Sequence, residues 1–277
     1  MMKGMRSLAL MASLMVLAGC ASWLPATGAK QVASTVDYLY PDAKEAPQLK
    51  AGVTTLRPPI RVGVAFVPGG GSRDGLPEAE KLKLLERVKA AFAKYPYIGG
   101  IEVIPTTYLQ PKGGFTNLEQ VARMFDVEVM ALLSYDQVQF NDSNALSVLY
   151  WTIIGAYVIH GDQYDVQTLV DASVFDVQSR KLLFRAPGTS RVKGNASMAG
   201  FSEQARAARV AGYDQAIGEM IPRLQAELDG FKERIKSDQA YRVENKPGYS
   251  GGGSLDWIVL ALGLAAVGIG YATRRGR

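Results

Sequence analysis

The sequence predicts an α/β fold: a mixed sheet laid down as βαβα, then a β-meander, then a long closing helix. Two periodicities predict it. Apolar residues recur at helical spacing in residues 77–95, 116–125 and 198–239, and at spacing two in residues 164–177. A third observation sets the limits of the domain. Both chain ends read as membrane signals, an N-terminal signal peptide and a C-terminal transmembrane tail, which leaves about 230 residues for one folded body.

Residues 20–59 are proline-rich with little periodicity and read as a tether, with a short helix near residues 31–39. Residues 60–67 (IRVGVAFV) form a buried strand, and residues 69–75 (GGGSRDG) a flexible loop. Residues 77–95 follow as a helix. Pro77 suits its first turn, and Leu82, Leu85, Val88 and Phe92 share one face. A short strand spans residues 100–105. The second helix, residues 116–125, opens with Thr116 and Glu119 at capping-box spacing. Residues 128–140 make a third strand.

A hairpin is expected next. Residues 146–159 are a long apolar run, and Gly161-Asp162-Gln163 supplies a turn. Residues 164–177 then alternate, with Val166, Thr168, Val170, Ala172 and Val174 on one face and Gln167, Asp171 and Ser173 on the other. Ser179-Arg180 turns into a strand over residues 181–186. In the last helix Tyr213, Ile217, Met220, Leu224, Leu228, Phe231 and Ile235 form the apolar stripe, and Pro222 should kink or split it. This order argues a two- or three-layer α/β domain over residues 60–240, followed by a Gly-rich linker over residues 241–254.

The inventory of reactive groups is thin. His160 is the single histidine and sits beside a turn glycine. One His and one Cys rule out zinc sites with several such ligands and argue against Cys–His or Ser–His–Asp machinery, so no catalytic residue, metal or cofactor is assigned. The loop at residues 69–75 lies between a strand and a helix, where phosphate loops sit. It lacks the Gly-Lys-Ser/Thr ending, and Asp74 stands where a dinucleotide fingerprint wants glycine. Asp136, Asp142, Asp162 and Asp165 cluster around strand ends without EF-hand order and read as solvated turn residues. Glu203, Arg206, Arg209, Glu219, Arg223, Glu227, Glu233 and Arg234 give the last helix a mixed-sign exposed face. Residues 148–159 are apolar on both faces. A strand covered on both sides explains them; so would a membrane-entering or oligomer-forming hairpin, which leaves a homo-oligomer open.

The ends are more specific. Lys3 and Arg6 precede a ten-residue apolar core, too short to span a bilayer, and then Leu17, Ala18, Gly19 and Cys20. Small residues before the cut let the chain lie extended in a peptidase cleft. Cys20 is the only cysteine in the chain and supplies the nucleophile for a thioether-linked diacylglycerol. At the other end Gly251, Gly252, Gly253 and Ser254 precede eighteen mostly apolar residues, 255–272, and the chain closes with Arg274, Arg275 and Arg277. At about 1.5 Å per residue that span is roughly 27 Å of helix, enough for the hydrocarbon core. The arginines belong on the cytoplasmic side, which places the body outside the inner membrane, in agreement with the N-terminal signal. The formal charge of +5 is largely a property of these ends. Without Lys3, Arg6 and the three terminal arginines, and without Asp256, one excess positive charge remains, which gives no ground for nucleic-acid binding.

Residues 17–20 resemble the bacterial lipobox, and Gly251 to Arg277 resembles the GlyGly-CTERM sorting tail. Together they resemble the rhombotarget lipoprotein family, with weaker similarity around Leu39-Tyr40-Pro41 and residues 182–188. The resemblance implies removal of residues 1–19 by prolipoprotein-processing enzymes, membrane attachment by lipid on Cys20, and cleavage near Gly251–Ser254 by a rhomboid-type intramembrane protease, rhombosortase. It implies residence in the inner membrane during processing and then in the outer membrane or at the cell surface. It implies no known activity for the body. Two classes stay open there: a non-enzymatic binding or assembly module, and an envelope hydrolase with a carboxylate- or serine-based site or a subunit of a secretion pore.

Overall fold

The computed structural model describes residues 29–41, 52–69, 75–143, 162–196 and 200–249. The elements in chain order are β1 (Ala29–Ala33), α1 (Thr35–Leu39), β2 (Thr54–Leu56), β3 (Ile60–Phe66), α2 (Glu78–Phe92), β4 (Ile98–Val103), a 3₁₀ turn (Thr106–Tyr108), α3 (Gly114–Met124), β5 (Val129–Ser143), β6 (Asp162–Asp176), β7 (Lys181–Ala196), α4 (Phe201–Ser237) and β8 (Tyr241–Val243). The expected mixed α/β sheet with a long closing helix is present.

The main sheet runs β4-β3-β5-β6-β7. β3 is parallel to β4 and β5; β5, β6 and β7 are antiparallel neighbours. From β3 the chain steps outward to β4 and then back across to β5. Right-handed crossovers in opposite directions put α2 and α3 on opposite faces. α4 lies on the α2 face, joined to α2 by Arg87 with Asp214 (2.6 Å) and by Gln225 Nε2 donating to Ala91 O (3.0 Å). On the other face Phe115 of α3 stacks edge-on against Phe175 of β6 and Tyr40, at 6.2 and 5.4 Å.

The alternation in β6 is realised: Val166, Thr168, Val170, Ala172 and Val174 are all buried, toward α4. Its partners differ from the expected hairpin. β5 takes one edge of β6 over its whole length, pairing Val129 with Asp176 and Ser143 with Asp162, and β7 takes the other. Both edges of β6 are thus taken by β5 and β7; residues 146–159 lie outside the described residues. β7 extends ten residues beyond the expected end at residue 186, through Pro187 and Gly188, because it is an outer strand where a missing N–H costs no ladder bond.

Three local expectations are corrected. Residues 31–39 are not one helix. Gln31 and Ala33 are buried and alternate with exposed neighbours, so Ala29–Ala33 adds to β5 as a strand, opposite Tyr135–Gln139. Ser34 then caps α1, its Oγ accepting from Asp37 N at 3.2 Å. In α3 the helix starts before Thr116, so no capping box forms, and Glu119 binds Arg180 at 2.7 Å. α4 runs unbroken past Pro222, which is solvent-exposed, so water can serve the carbonyl its ring leaves unpaired. The folded unit also takes in residues read as tether and linker. Tyr38 OH donates to Asn117 Oδ1 (2.9 Å), β2 pairs with β8, and Lys246 reaches Glu128 (2.9 Å).

Burial pushes the phenols of Tyr38, Tyr97, Tyr135 and Tyr213 up from their ordinary value. The unfolded chain therefore releases these protons first. The contribution of these phenols should be constant below about pH 10 and be lost as pH rises past it toward the folded values. Tyrosinate absorbance should lag that of free tyrosine and appear together with loss of near-ultraviolet circular dichroism. Ionisation of all thirteen tyrosines with the fold intact would contradict this.

Candidate functional site

Most of the residues singled out in the sequence lie outside the described residues: Leu17, Ala18, Gly19, Cys20, His160, Gly251, Gly252, Gly253, Ser254 and positions 70–74 of the glycine loop. Among the described residues no helix is long and apolar enough to cross a membrane, and no group of three or more His, Cys, Asp or Glu side chains is placed to hold a metal. Of the four clustered aspartates, Asp165 is held by Arg191 and Lys193, whose hydrogen bond and charge keep its carboxyl below the usual range. Asp136 projects from the opposite sheet face to Tyr135 and Gln137. The side chains of Asp142 and Asp162 lie outside the description.

Four surfaces and cavities remain. At the amino ends of β3 and β5 a cavity of about 450 Å³ is lined by charges of both signs, among them Arg57, Glu119, Arg123, Glu128, Asp176 and Arg180. Most are already engaged. Arg180 pairs with Glu119, Arg57 with Glu244 and Lys246 with Glu128, while Asp176 Oδ2 accepts from Ser179 N and Oγ. This network ties the amino end of the sheet to the segment after α4. Between the sheet and α2/α4 lies a wholly apolar void of about 100 Å³, bounded by Val62, Phe92, Ile101, Leu224 and Phe231. It is a gap in the core that water has no polar reason to enter.

The third feature is the sheet face turned away from α4. α1 and α3 cover only the end near Met130 and Phe175. Beyond them Val32, Phe140 and Leu169 are 42, 49 and 41% exposed, beside the paired charges Asp165–Arg191 and Asp171–Arg185. Val32 and Leu169 flank Asp136 across the sheet, and Phe140 lies toward the end of β5 opposite Asp165, so these apolar side chains stand among charges.

The fourth is a cavity of about 260 Å³ beyond the carboxyl end of β3, bounded by Gly75-Leu76-Pro77, Gln31, Gln137 and Tyr213, with Arg206 and Arg209 at its mouth. β1, β5 and α4 build it. In β5 the positions facing α4 are apolar up to Tyr135 and then become Gln137 and Gln139, both buried. Gln137 Nε2 donates to Thr168 Oγ1 (2.8 Å) and to Arg209 O (2.9 Å). Tyr213 OH donates to Gln31 Oε1 at 3.3 Å, and Arg209 Nη1 to Gln139 Oε1 at 2.7 Å. Arg209, assigned in the sequence to the exposed face of the last helix, is half-buried here and joins these polar core positions. Their signal was present: glutamines at residues 31, 137 and 139 continue the period-two phase of apolar neighbours.

No family model matches the chain, and no curated protein matches it. Among solved structures it is similar to a neuraminyllactose-binding hemagglutinin homologue from Helicobacter pylori, at 6% identity and a TM-score of 0.37, over 73% of this chain and 98% of that one. It is also similar to PelC from Paraburkholderia phytofirmans, seen as a dodecamer in two crystal forms. One, a point variant, has 15% identity and a TM-score of 0.24 over 68% of this chain and 99% of that one. The other has 14% identity and a TM-score of 0.23 over 68% and 98%. At scores this low the likenesses carry no argument for this chain.

Proposed function

We propose that this chain is an envelope lipoprotein, held to the membrane by lipid on Cys20 and released from a second, temporary anchor by cleavage of its C-terminal tail, with a body that serves as a binding or assembly module. The observation that carries the reading is the pairing of two signals on one chain. Leu17-Ala18-Gly19-Cys20 holds the only cysteine, and Gly251-Gly252-Gly253-Ser254 precedes an apolar span and three arginines. Both signals demand the same topology. The glycines place unhindered backbone at the membrane edge. Gly263, Gly268 and Gly270 lower the cost of unwinding the span, by about 1 kcal/mol each relative to alanine. The residue after Cys20 is alanine rather than the aspartate that resembles an inner-membrane retention signal, which favours the outer membrane as destination. For the body, the sheet face that α1 and α3 leave open, where Val32, Phe140 and Leu169 stand exposed among charged side chains, supports a docking role.

Changing Gly251 and Gly252 together to valine should trap an uncut form in the inner membrane, seen as a heavier band in membrane fractions of the native host. Normal processing of that variant would remove the tail reading.

A further inference from the structure

We propose that the uncut chain is held down on the inner membrane from both ends of its sheet, and that removal of the tail frees the amino end of the sheet to swing away from the bilayer. This rests on the two membrane signals proposed above; the fold adds where each one attaches. β1 runs antiparallel to β5 and begins with Ala29 opposite Gln139, so the N-terminal lipid is tied to the carboxyl end of β5. The tail leaves from the opposite end. β8 pairs with β2, Lys246 N donates to Pro58 O (2.8 Å), and Lys246 Nζ reaches Pro59 O (3.1 Å) and Glu128 (2.9 Å). Tyr249 N then donates to Lys246 O (3.0 Å). The chain is thus bound to the amino ends of β3 and β5 up to Tyr249, just before the glycine run.

Chain length limits how such a body can stand. Glu128 and Gln139 are eleven residues apart along β5, so at about 3.3 Å per residue the two attachment points are roughly 36 Å apart along the strand. Cys20 to Ala29 is nine residues, a reach of roughly 32 Å at full extension, and Tyr249 to Leu255 is six, a reach of roughly 22 Å. Standing on its amino end, the body would lift Ala29 beyond the reach of Cys20. The turn that follows β6 would lift it further, because Val177 N donates to Glu128 O (3.1 Å) and the turn projects past it. Standing on its carboxyl end, the body would lift Tyr249 beyond the reach of Leu255. While both anchors hold, both upright stances are closed, and the charged cavity at the amino end is kept close to the bilayer. A cut within Gly251–Ser254 removes one of the two limits. The body then hangs from its carboxyl end alone, and the stance with the amino end outward becomes available. Cleavage is therefore a change of orientation as well as a release.

The test is energy transfer in vesicles whose lipid headgroups carry an acceptor dye. Cys20 is lipidated, so one added thiol takes the donor: Gln178→Cys reports the amino end and Asn195→Cys the carboxyl end, both at exposed positions. Three forms are compared: the full chain from a host without rhombosortase, the chain ended at Ser254, and the full chain with about twenty Gly/Ser residues inserted after Ser250, a flexible extension. Intact mass first establishes the lipid and both ends of each. Transfer from residue 178 should fall at least twofold in the shortened and the extended chains relative to the full chain, while transfer from residue 195 stays the same. Equal transfer from residue 178 in all three lipidated forms overturns the proposal and leaves the two signals standing. A fall in the shortened chain without one in the extended chain overturns the chain-length account. Absence of lipid on Cys20 in the mass spectrum removes the lipoprotein reading, and this proposal with it.

Discussion

Gly188→Ala is expected to destabilise the body by about 3 kcal/mol or more, the upper end of overpacking effects. A Cβ at residue 188 would lie 2.0 Å from Ala216 O and 2.6 Å from Met220 N. Both are backbone atoms of α4, and neither can rotate aside. The helix must lift from β7, or β7 must bend. Gly212 makes the reciprocal approach from the helix, its added Cβ falling 2.5 Å from Thr168 Oγ1. The two glycines therefore let α4 lie directly on the antiparallel half of the sheet and bury Tyr213, Ile217 and Met220. Gly230→Ala is the internal control, because nothing stands within 4 Å of its added Cβ. In mid-helix it should gain roughly 0.5–1 kcal/mol from propensity. Urea midpoints of the full chain in detergent should move in opposite directions for the two variants. Equal midpoints would show that the contact between α4 and β7 is looser than described.

Cys20→Ser is expected to abolish lipid attachment outright, because no other thiol exists in the chain to accept the diacylglycerol. Serine keeps the size of the side chain and removes the thiolate that forms the thioether. Labelled palmitate should not be incorporated, and the protein should remain as the uncleaved precursor or leave the membrane once its tail is cut. Unchanged palmitate incorporation would end the lipoprotein reading. The effect is all-or-none because it removes the reacting atom itself.

What was legible in the sequence follows from how strongly each segment's own pattern binds it to one conformation. β3 was readable as a near-continuous apolar run bounded by turn residues, and α2 and α4 because their apolar residues repeat at helical spacing. β6 was readable because its buried face alternates without a break from Val166 to Val174. β1 was not. Its five residues are too few to separate spacing two from helical spacing, and Ser34 begins a helix immediately after. Strand pairing was misjudged for a different reason. Adjacent apolar runs suggested a hairpin between residues 146–159 and 164–177, whereas β6 finds its partner in β5, and the choice depends on register across the sheet rather than on either strand alone. The failed capping box in α3 shows the same limit. Thr116 and Glu119 have the right spacing, but Arg180, 61 residues away, takes the carboxylate. The phase of Gln31, Gln137 and Gln139 marks them as inward-facing, but a glutamine in a strand carries no motif that says what it meets. Only the sheet register shows that Gln137, Thr168 and Arg209 meet.

The central claim concerns the two ends of the mature protein, and intact mass spectrometry of the protein purified from its native host tests both in one spectrum. The account predicts a chain that begins at a diacylated Cys20 and ends within Gly251–Ser254. A chain that still ends at Arg277 in a host with an active rhombosortase, or that begins without lipid on Cys20, would contradict it.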